Sequence, residues 1–481
     1  MNQALVRHLL YPVHERLFGR ETFRLLAELE RTQWLSADAL RGYQAGKLRD
    51  LLNGVSAGSA YYRRLFAERG IDTHSTDPFE ALSRLPLLNK GAIRSHLAEM
   101  AACSGQGAFR VMSTGGSTGE PLVFRVNRRR EAFDKSARMR AHRWFGVEPG
   151  AKEVYVWGVP IGRRRQDRWR SVRDFLLNDL LISAFDVSPA AVRAYLGRIE
   201  SFDPECIFGY PSSVSKMCDF ARAEGLAPRL ERLRAVFVTG EVLDAGQRRS
   251  IESFFGVPVA DGYGGRDAGF CAHQCPAGLM HVTSEHVIVE VVDGDGRPMP
   301  MGQVGELVVT NLDNLATPFI RYRTGDMGAL LDESCPCGRG LGVIGRLEGR
   351  RTDHLVAGDG ALRHALSVIY VLRDLPGVGQ FQVHQRSDRS IDLKIVPHGG
   401  FDEAARSRAI AGVRDCLGET IAVRVDVVER IDPQTSGKYR HVVSDAADTT
   451  TRRGSDADSD ARERDHCDRA SVPANALAAA P

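Results

Sequence analysis

The residues from 1 to about 100 have the hydrophobic spacing of helices. Apolar positions recur three and four residues apart, as in FRLLAELERTQWL from residue 23 and AGKLRDLL from residue 45. This spacing places the apolar side chains on one face of a helix, and that face packs against the rest of the protein. The sequence therefore predicts an α-rich region here.

Short apolar runs and helical stretches alternate over the next part of the chain. The runs are EVYVWGV from residue 153, CIFGY from 206, AVFVTG from 235 and VPVADGYG from 257. The stretch AAVRAYLGRIESF, from residue 190, has helical spacing and separates two of them. Buried strands that alternate with helices are typical of a parallel sheet. We predict an α/β fold for this core.

The pattern changes after residue 280. EHVIVEVVD and GELVVTNL are joined by the turn segment GDGRPMPMG, which predicts antiparallel strands in a β-barrel-like part. Further on, QFQVHQ, SIDLKIVP and IAVRVDVVERI surround the helical FDEAARSRAIAGVRDCLG, a small α+β module. We expect a large N-terminal domain over 1–348 and a small C-terminal domain over 349–444. Residues 445–481 contain few large apolar residues, so a disordered tail is expected.

Composition and charge exclude several classes of protein. The 481 residues carry a formal net charge of +3, which is too small to indicate a nucleic-acid-binding protein. Nine cysteines and no secretory leader predict reduced thiols and a cytoplasmic location. Charged residues interrupt the apolar positions of residues 1–20, so we expect no integral membrane segment. A helix docked on the protein is expected there, with a helix on a membrane surface as the alternative.

A segment rich in glycine and hydroxyl residues is the first candidate binding site. It comprises Ser113, Thr114, Gly115, Gly116, Ser117, Thr118 and Gly119, followed by Glu-Pro and an apolar strand. Glycines let the backbone approach a ligand, while hydroxyls and amide N–H groups surround phosphate oxygens. No Lys-Ser/Thr pair follows the last glycine, which disfavours a P-loop NTPase. A flexible surface loop is the alternative.

This segment resembles the phosphate-binding loop of the acyl-CoA synthetase and luciferase superfamily, in its phenylacetate-CoA ligase-like branch, which includes capsular polysaccharide biosynthesis proteins. Further segments resemble that family's motifs in the same order, between about residue 30 and residue 444. They are GYPSS at 209–213, TGE at 239–241, DGYGGRD at 261–267, RYRTGD at 321–326, GR at 349–350 and SGKYR at 436–440. The resemblance implies a small C-terminal domain that is mobile between two half-reactions.

The resemblance assigns nucleotide-binding roles to individual residues. Tyr263 and the neighbouring Gly264 would lie at the adenine, beside the backbone of Gly240 and Glu241. Asp326 would accept hydrogen bonds from both ribose hydroxyls, and Arg350 would lie near the same ribose. A turn-capping aspartate and a surface ion pair are the alternatives for the last two residues.

Two further residues would act in catalysis. Lys438 matches the lysine that neutralises the α-phosphate during adenylation, whereas a solvated surface lysine is the alternative. Asp267 stands where most of the superfamily has a magnesium-binding glutamate, and its stem is one methylene shorter. A helix N-cap is the alternative for Asp267. Thr352 also departs from the family, which usually has an acidic residue at this hinge position.

Cysteine and histidine residues form a second candidate site. Cys275, His281, Cys335 and Cys337 have the thiolate and imidazole groups that suit a structural zinc ion. Cys271 and His273 compete with them as ligands, and ordinary reduced cysteines are the alternative.

The resemblance implies an enzyme that activates a small carboxylic acid with ATP and Mg²⁺ to an acyl-adenylate. Coenzyme A is the expected acceptor, and an amine, a carrier protein or a sugar hydroxyl is the alternative. A nucleotide-binding protein without turnover is a third hypothesis, prompted by Asp267 and Thr352. The sequence leaves open whether the chain forms a homodimer.

Overall fold

The computed structural model describes residues 1–74, 76–101, 109–114, 122–157, 172–184, 189–350, 354–359, 362–373, 375–431 and 442–446. Several expected features lie outside these residues. They are residues 115–119 of the glycine-rich segment, Thr352, Lys438 and the tail beyond residue 446.

Helices form the first hundred residues, as predicted. They are α1 (Gln3–Leu5), a π-helical segment (Val6–Leu10), α2 (Tyr11–Leu17), α3 (Thr22–Thr32), α4 (Ala37–Gly58), α5 (Ala60–Arg69), α6 (Pro78–Arg84) and α7 (Lys90–Met100). Ser36 and Asn89 begin α4 and α7 with side chains that accept backbone N–H bonds. Buried leucines of α4 pack in one core with Phe124 and Tyr322. The helical region is therefore part of the large domain.

The first helical segment docks on the protein's own surface through one face, as expected. Val6 and Glu15 are buried. The Glu15 carboxylate accepts hydrogen bonds from Thr22 Oγ1 at 2.6 Å and Lys135 Nζ at 2.7 Å. Among the described residues, no helix has the length and apolar content needed to cross a lipid bilayer.

Five parallel strands form the centre of the large domain. They are β3 (Glu153–Trp157), β4 (Asp179–Ser183), β5 (Cys206–Gly209), β6 (Ala235–Thr239) and β7 (Val259–Gly265). Helices α9 (172–177), α10 (Pro189–Phe202), α11 (Pro211–Ala223) and α12 (Ala245–Phe255) lie between strands in the sequence. Buried Val154, Ile207 and Val236 pack with apolar residues of α10–α12. The predicted parallel α/β core is confirmed.

Antiparallel strands continue this sheet. They are β8 (Gly269–Gln274), β9 (Met280–Val282), β10 (Val287–Val292), β11 (Gly305–Asn311), β12 (Tyr322–Leu331) and β13 (Val343–Arg350). The order of the eleven strands is β10-β11-β12-β13-β9-β8-β7-β6-β5-β3-β4. The part predicted as barrel-like therefore extends the central sheet, because a tight turn pairs β8 with β7.

A separate hairpin precedes the central sheet. Its strands β1 (Phe109–Ser113) and β2 (Val123–Asn127) pair antiparallel, with Ser113 opposite Val123. Helix α8 (Arg128–Arg143) follows directly and begins at the Asn127 cap. The hairpin thus places both ends of the glycine-rich segment side by side.

A small α+β unit forms the C-terminal part. Its elements are β14 (His354–Val356), β15 (Leu362–His364), α13 (Leu366–Arg373), β16 (Val378–Gln385), β17 (Ile391–Pro397), α14 (Glu403–Leu417), β18 (Val423–Val427) and β19 (Val442–Ser444). Four strands form a sheet in the order β18-β17-β16-β19. Val383, Leu393 and Val413 belong to a hydrophobic core within this unit.

Candidate functional site

The described ends of the glycine-rich segment form the stem of a hairpin loop. The Thr114 N–H donates to the Leu122 carbonyl at 3.0 Å, and the Leu122 N–H donates to Thr114 Oγ1 at 2.9 Å. These two bonds close the stem, so residues 115–121 connect β1 and β2 across a short gap. The segment is a strand-to-strand connection, in contrast to the strand-to-helix loop of a P-loop NTPase.

The turn between β7 and β8 contacts this stem. The Arg266 guanidinium donates to the Ser113 carbonyl at 3.2 Å. The carbonyl of Arg266 in turn accepts a hydrogen bond from the buried Arg130 guanidinium at 2.7 Å. Sequence reasoning missed both arginines as site residues, because their contacts link segments more than a hundred residues apart. The glycine-rich segment and the DGYGGRD motif are therefore neighbours.

Asp267 lies in the same turn, and its carboxylate is held on both oxygens. The Tyr322 hydroxyl donates to Oδ2 at 2.7 Å, and the Ala268 N–H donates to Oδ1 at 3.1 Å. The half-buried carboxylate is one residue from Arg266. Asp267 does not begin a helix, which excludes the N-cap alternative. Tyr322 precedes the RYRTGD aspartate by four residues, and sequence reasoning did not identify it as a partner of Asp267.

Tyr263 and Asp326 are joined by a hydrogen bond. The Tyr263 hydroxyl donates to Asp326 Oδ2 at 3.0 Å. Burial, and secondly the Asp326 charge, raise the pKa of Tyr263 well above its usual value. The Tyr263 hydroxyl therefore stays protonated and donates the hydrogen bond. Asp326 pairs with Arg350 across strands β12 and β13, although the Arg350 side chain lies outside the described part. The residues expected at adenine and at ribose are thus adjacent.

The TGE segment lies next to Tyr263. Thr239 Oγ1 donates to the Gly262 carbonyl at 2.7 Å, and Gly240 turns the chain with φ +83°. Glu241 accepts a hydrogen bond from the Ser212 N–H at 3.2 Å, at the start of α11. An anionic side chain is favoured at a helix N-terminus. The Gly240–Glu241 backbone therefore lies at the carboxyl ends of the parallel strands, where open α/β sheets bind ligands.

An aromatic cluster lies beside Glu241. Trp157 stacks on Tyr210 with ring centroids 4.4 Å apart and on Phe208 at 5.6 Å. Trp157 is the last residue of β3, Phe208 lies near the end of β5, and Tyr210 follows β5, so the rings lie at the carboxyl ends of these strands. Burial raises the pKa of Tyr210 to about 12, and the charges of Arg266 and Glu241 also act on it. Tyr210 directly precedes α11, whose Ser212 N–H bonds to Glu241, so the cluster lies beside the TGE segment.

A buried ionic network reaches the turn between β7 and β8 through Arg130. Asp313 accepts hydrogen bonds from Lys47 Nζ at 2.6 Å and pairs with His286 Nδ1 at 2.8 Å. His286 Nε2 lies 3.2 Å from Asp134, which pairs with Arg130 at 3.5 Å. The charges of Lys47 and His286 outweigh burial and lower the pKa of Asp313 to about 2. The network ends at the guanidinium that holds the β7–β8 turn.

The predicted cysteine and histidine ligands meet in one cluster. The Cys275 and Cys335 sulfurs lie 3.6 Å apart, and His281 Nε2 lies 3.2 Å from the Cys337 sulfur. All four ligand atoms lie within 4.8 Å of one another. Sulfur ligands of a tetrahedral zinc, at about 2.3 Å, are about 3.8 Å apart, which fits this spacing. Cys271 and His273, the competing residues, do not belong to the cluster.

The surroundings of the cluster keep the His281 imidazole neutral and oriented as a metal ligand requires. Burial lowers the pKa of His281 to about 4, so the imidazole is neutral near pH 7. Its Nδ1 lies 3.4 Å from the Leu341 carbonyl, which orients the ring with Nε2 toward the sulfurs. Burial raises the pKa of Cys335 to about 12, and a bound cation would reverse that shift.

A second group, His142, Glu153 and Cys206, is not a comparable metal site. Its ligand atoms also lie within 4.8 Å of one another. However, the Glu153 carboxylate already accepts hydrogen bonds from Arg138 at 3.1 Å and from the Tyr155 hydroxyl at 2.7 Å. The positive charge of Arg138, next to the only carboxylate of the group, repels a metal cation.

Comparison with known proteins gives two family matches. Residues 181–315 match the AMP-binding enzyme family, and residues 355–445 match the CapK C-terminal domain. A phenylacetate-coenzyme A ligase of Thermus thermophilus is 27% identical over 440 residues, which cover 85% of this chain and 97% of that protein. Protein CapK of Staphylococcus aureus is 23% identical over 68% of this chain and 72% of its own length.

Solved structures agree in fold. A 2-hydroxyisobutyryl-CoA ligase in the postadenylation state has a TM-score of 0.70 and 22% identity, over 86% of this chain and 92% of that one. In the thioesterification state, with adenylate and CoA, the TM-score of the same ligase is 0.57. The chain is thus similar in sequence to phenylacetate-coenzyme A ligases over most of its length, and it shares the fold of a solved acyl-CoA ligase.

Proposed function

We propose that this chain activates a small carboxylic acid with ATP to an acyl-adenylate and transfers the acyl group to coenzyme A. One observation carries the proposal. Arg266, the neighbour of Asp267 in the sequence, contacts the stem of the glycine-rich loop. Tyr263 lies on β7, which leads into the turn of Asp267, and its partner Asp326 lies on β12, which also carries the Asp267 partner Tyr322. The relatives named phenylacetate-coenzyme A ligases support coenzyme A as the acceptor.

The reaction has two steps. A carboxylate oxygen of the acid attacks the α-phosphorus of ATP, and the bond to pyrophosphate breaks. The coenzyme A sulfur then attacks the acyl carbon, AMP leaves with the electron pair of the acyl–oxygen bond, and the thiol proton passes to solvent. Adenylation is needed because a free carboxylate is a poor electrophile. Groups that stabilise the charge developing on the phosphates accelerate the first step.

The nucleotide would occupy the carboxyl ends of the parallel strands. Tyr263 and Gly264 would lie at the adenine, with the backbone of Gly240 and Glu241 beside them. Asp326 has lone pairs left after accepting from Tyr263, so ribose hydroxyls can share its carboxylate. The loop that begins at Ser113 and Thr114 would surround the polyphosphate, and Arg350 would lie near the ribose by its register opposite Asp326.

Asp267 is the residue proposed to hold Mg²⁺. Its carboxylate offers oxygen ligands, and each oxygen accepts one hydrogen bond and retains lone pairs. The contact of Arg266 with Ser113 places this carboxylate beside the loop. When bound, the ion would neutralise charge on the phosphates. Tyr322 orients the carboxylate through its hydroxyl.

The aromatic cluster is proposed as one wall of the acid-binding pocket. Trp157 and Phe208 are only partly buried, and they lie with Tyr210 at the strand ends that border the site. Such rings suit the apolar body of a carboxylic acid. Phenylacetate is therefore the first acid to examine.

The overall reaction distinguishes the proposed function from its alternatives. The purified protein is incubated with ATP, magnesium, a panel of carboxylic acids and coenzyme A, and products are identified by mass spectrometry. We expect equal amounts of AMP and acyl-CoA for at least one acid. AMP formation that needs an amine, a carrier protein or a sugar in place of coenzyme A would favour the alternative transferase. ATP binding without acid-dependent AMP would favour a non-catalytic nucleotide-binding protein.

Asp326→Ala is expected to lower kcat/KM for ATP by about 10–100-fold, because a charged acceptor for ribose hydroxyls contributes roughly 1.5–3 kcal/mol. The role at the ribose is tested with 2′-deoxy-ATP. The native protein should discriminate against this nucleotide, and the variant should not. Tyr263→Phe, which removes only the hydroxyl bonded to Asp326, is the control and should retain the discrimination. An equal loss of activity on both nucleotides in Asp326→Ala would contradict the assignment.

The cluster of Cys275, His281, Cys335 and Cys337 is proposed to hold a structural zinc ion. Four protein ligands leave no open position for substrate, so the ion would tie strands β8 and β9 to the segment before β13. We expect one zinc per chain by plasma mass spectrometry. Cys335→Ser should lower that content at least about tenfold. Cys416→Ser, on α14, is the control. Zinc content that is unchanged in Cys335→Ser would contradict this site.

A further inference from the structure

The first helical segment exposes a continuous row of large apolar side chains. Met1, Leu5, Leu9, Val13 and Leu17, here called the apolar stripe, occur at every fourth position and are 40–80% exposed. Phe18 is exposed beside them, so six of the fifteen exposed large hydrophobic residues of the described chain lie in its first eighteen positions. A row at every fourth position drifts around an α-helix, and the wider turn of the π-helical segment opposes that drift.

The opposite face of this segment is fixed to the protein. Val6 is fully buried, and the Gly150 backbone approaches so closely that a Cβ there would lie 2.9 Å from the Arg7 nitrogen. Arg7 also pairs with Glu148 at 3.1 Å, and the buried Glu15 pairs with Lys135. The apolar stripe therefore faces outward from an anchored helix.

Helix α9 lies close to the first helical segment. Val172, Phe175 and Leu176 are exposed, while the next residue, Leu177, lines one cavity together with Tyr11 and Gly150. Leu177 of α9 thus lies near Tyr11 of the first helical segment. Large apolar surfaces of this kind mark interaction sites.

The charges around the apolar stripe favour an anionic partner. Residues 1–20 contain Arg7, His8, His14, Arg16 and Arg20, and their single acidic residue is the buried Glu15. Arg7 pairs with Glu148, and Arg20 pairs with Glu15 and Glu131, whereas Arg16 and His8 are exposed next to the stripe. A second copy of the chain related by a two-fold axis would bring Arg16 close to the Arg16 of the first copy. An apolar face with basic residues fits the surface of an anionic lipid bilayer.

The position of this surface leaves the proposed nucleotide site open. Gln3 reaches Glu205 at 3.5 Å, directly before β5, so the segment covers the amino ends of the parallel strands. The nucleotide residues lie at the carboxyl ends of the same sheet. We propose that the apolar stripe binds the surface of an anionic membrane, with the catalytic face directed away from the lipid.

Vesicle sedimentation of the full chain tests this proposal. Vesicles of phosphatidylcholine with phosphatidylglycerol should bind the protein, and vesicles of phosphatidylcholine alone should bind at least about tenfold less, because each basic residue near an anionic surface contributes about 1 kcal/mol. The double variant Leu9→Glu, Leu17→Glu should lose binding to the anionic vesicles by about tenfold or more. Met301→Glu, at another exposed apolar residue, is the matched control and should bind as the native protein does.

Acid-dependent ATP–pyrophosphate exchange by the double variant should equal that of the native protein, which shows that the variant is folded. Absence of binding by the native protein, or unchanged binding by the double variant, would overturn the proposal. A native dimer that the double variant converts to a monomer, without lipid binding, would assign the surface to a second copy and also overturn it.

Discussion

Lys438→Ala is expected to lower acid-dependent ATP–pyrophosphate exchange by about 100–1000-fold, the loss typical for removing one preorganised group that stabilises transition-state charge. Charge builds on the α-phosphate oxygens as the carboxylate attacks, and the family motif SGKYR assigns its neutralisation to this ammonium. Lys438 lies outside the described residues, so its role is a proposal from the resemblance.

The second half-reaction gives this prediction its control. Synthetic acyl-adenylate supplied with coenzyme A bypasses the first step, and Lys438→Ala should convert it to acyl-CoA at nearly the native rate. Lys394→Ala changes an exposed lysine in the same C-terminal unit and should leave both half-reactions unchanged. Native exchange in Lys438→Ala would refute the assigned role, and equal loss of both half-reactions would indicate a structural effect.

Asp313→Asn is expected to lower the free energy of unfolding of the large domain by about 3–5 kcal/mol, because it leaves buried cationic partners without their counter-charge. Asp313 is almost fully buried and contacts Lys47, His286 and, at 2.9 Å, Arg129 Nε. Chemical denaturation measures the effect. Asp295→Asn, in an exposed pair with Arg297, is the control and should cost only about 0–1 kcal/mol. Equal midpoints for the two variants would contradict the network's contribution.

The same network predicts a dependence on pH. The pKa of Asp313 is lowered from 3.8 to about 2 in the folded protein, so its contribution is present above pH 3.8 and is lost as the pH falls toward 2. The difference in stability between the native protein and Asp313→Asn should therefore shrink by roughly 2 kcal/mol over that range. Hydrogen bonds to Asp134 and Asp313 raise the pKa of His286 against the effect of burial, and that contribution is lost as the pH rises through the folded-state pKa.

The sequence predicted those features that depend on local pattern. Apolar runs such as AVFVTG became parallel strands because both faces of β6 are buried. The cysteine and histidine cluster was predicted from ligand chemistry and chain position, and the structure brings those four residues together. Cys271 and His273, the competing candidates, lie on β8 outside this cluster. The Cys271 thiol contacts the carbonyl of Gly269, and His273 Nδ1 contacts the carbonyl of Gln274.

Contacts between distant segments were not predictable in this way. The bond from Tyr322 to Asp267 spans 55 positions, and the bond from Arg266 to Ser113 spans 153. A hydrophobic pattern carries no information about which tyrosine or arginine meets a given carboxylate. The network of Asp313, His286 and Asp134 was missed for the same reason, since none of its members lies in a recognisable motif.

Acid-dependent exchange of labelled pyrophosphate into ATP, with the acyl-adenylate identified by mass spectrometry, tests the central claim most directly. The account predicts that exchange appears only when a suitable carboxylic acid is present, starts before coenzyme A is added, and yields the mass of the acid joined to AMP. Exchange that does not depend on any acid, or conversion of ATP to ADP and phosphate with an acid present, would contradict the account.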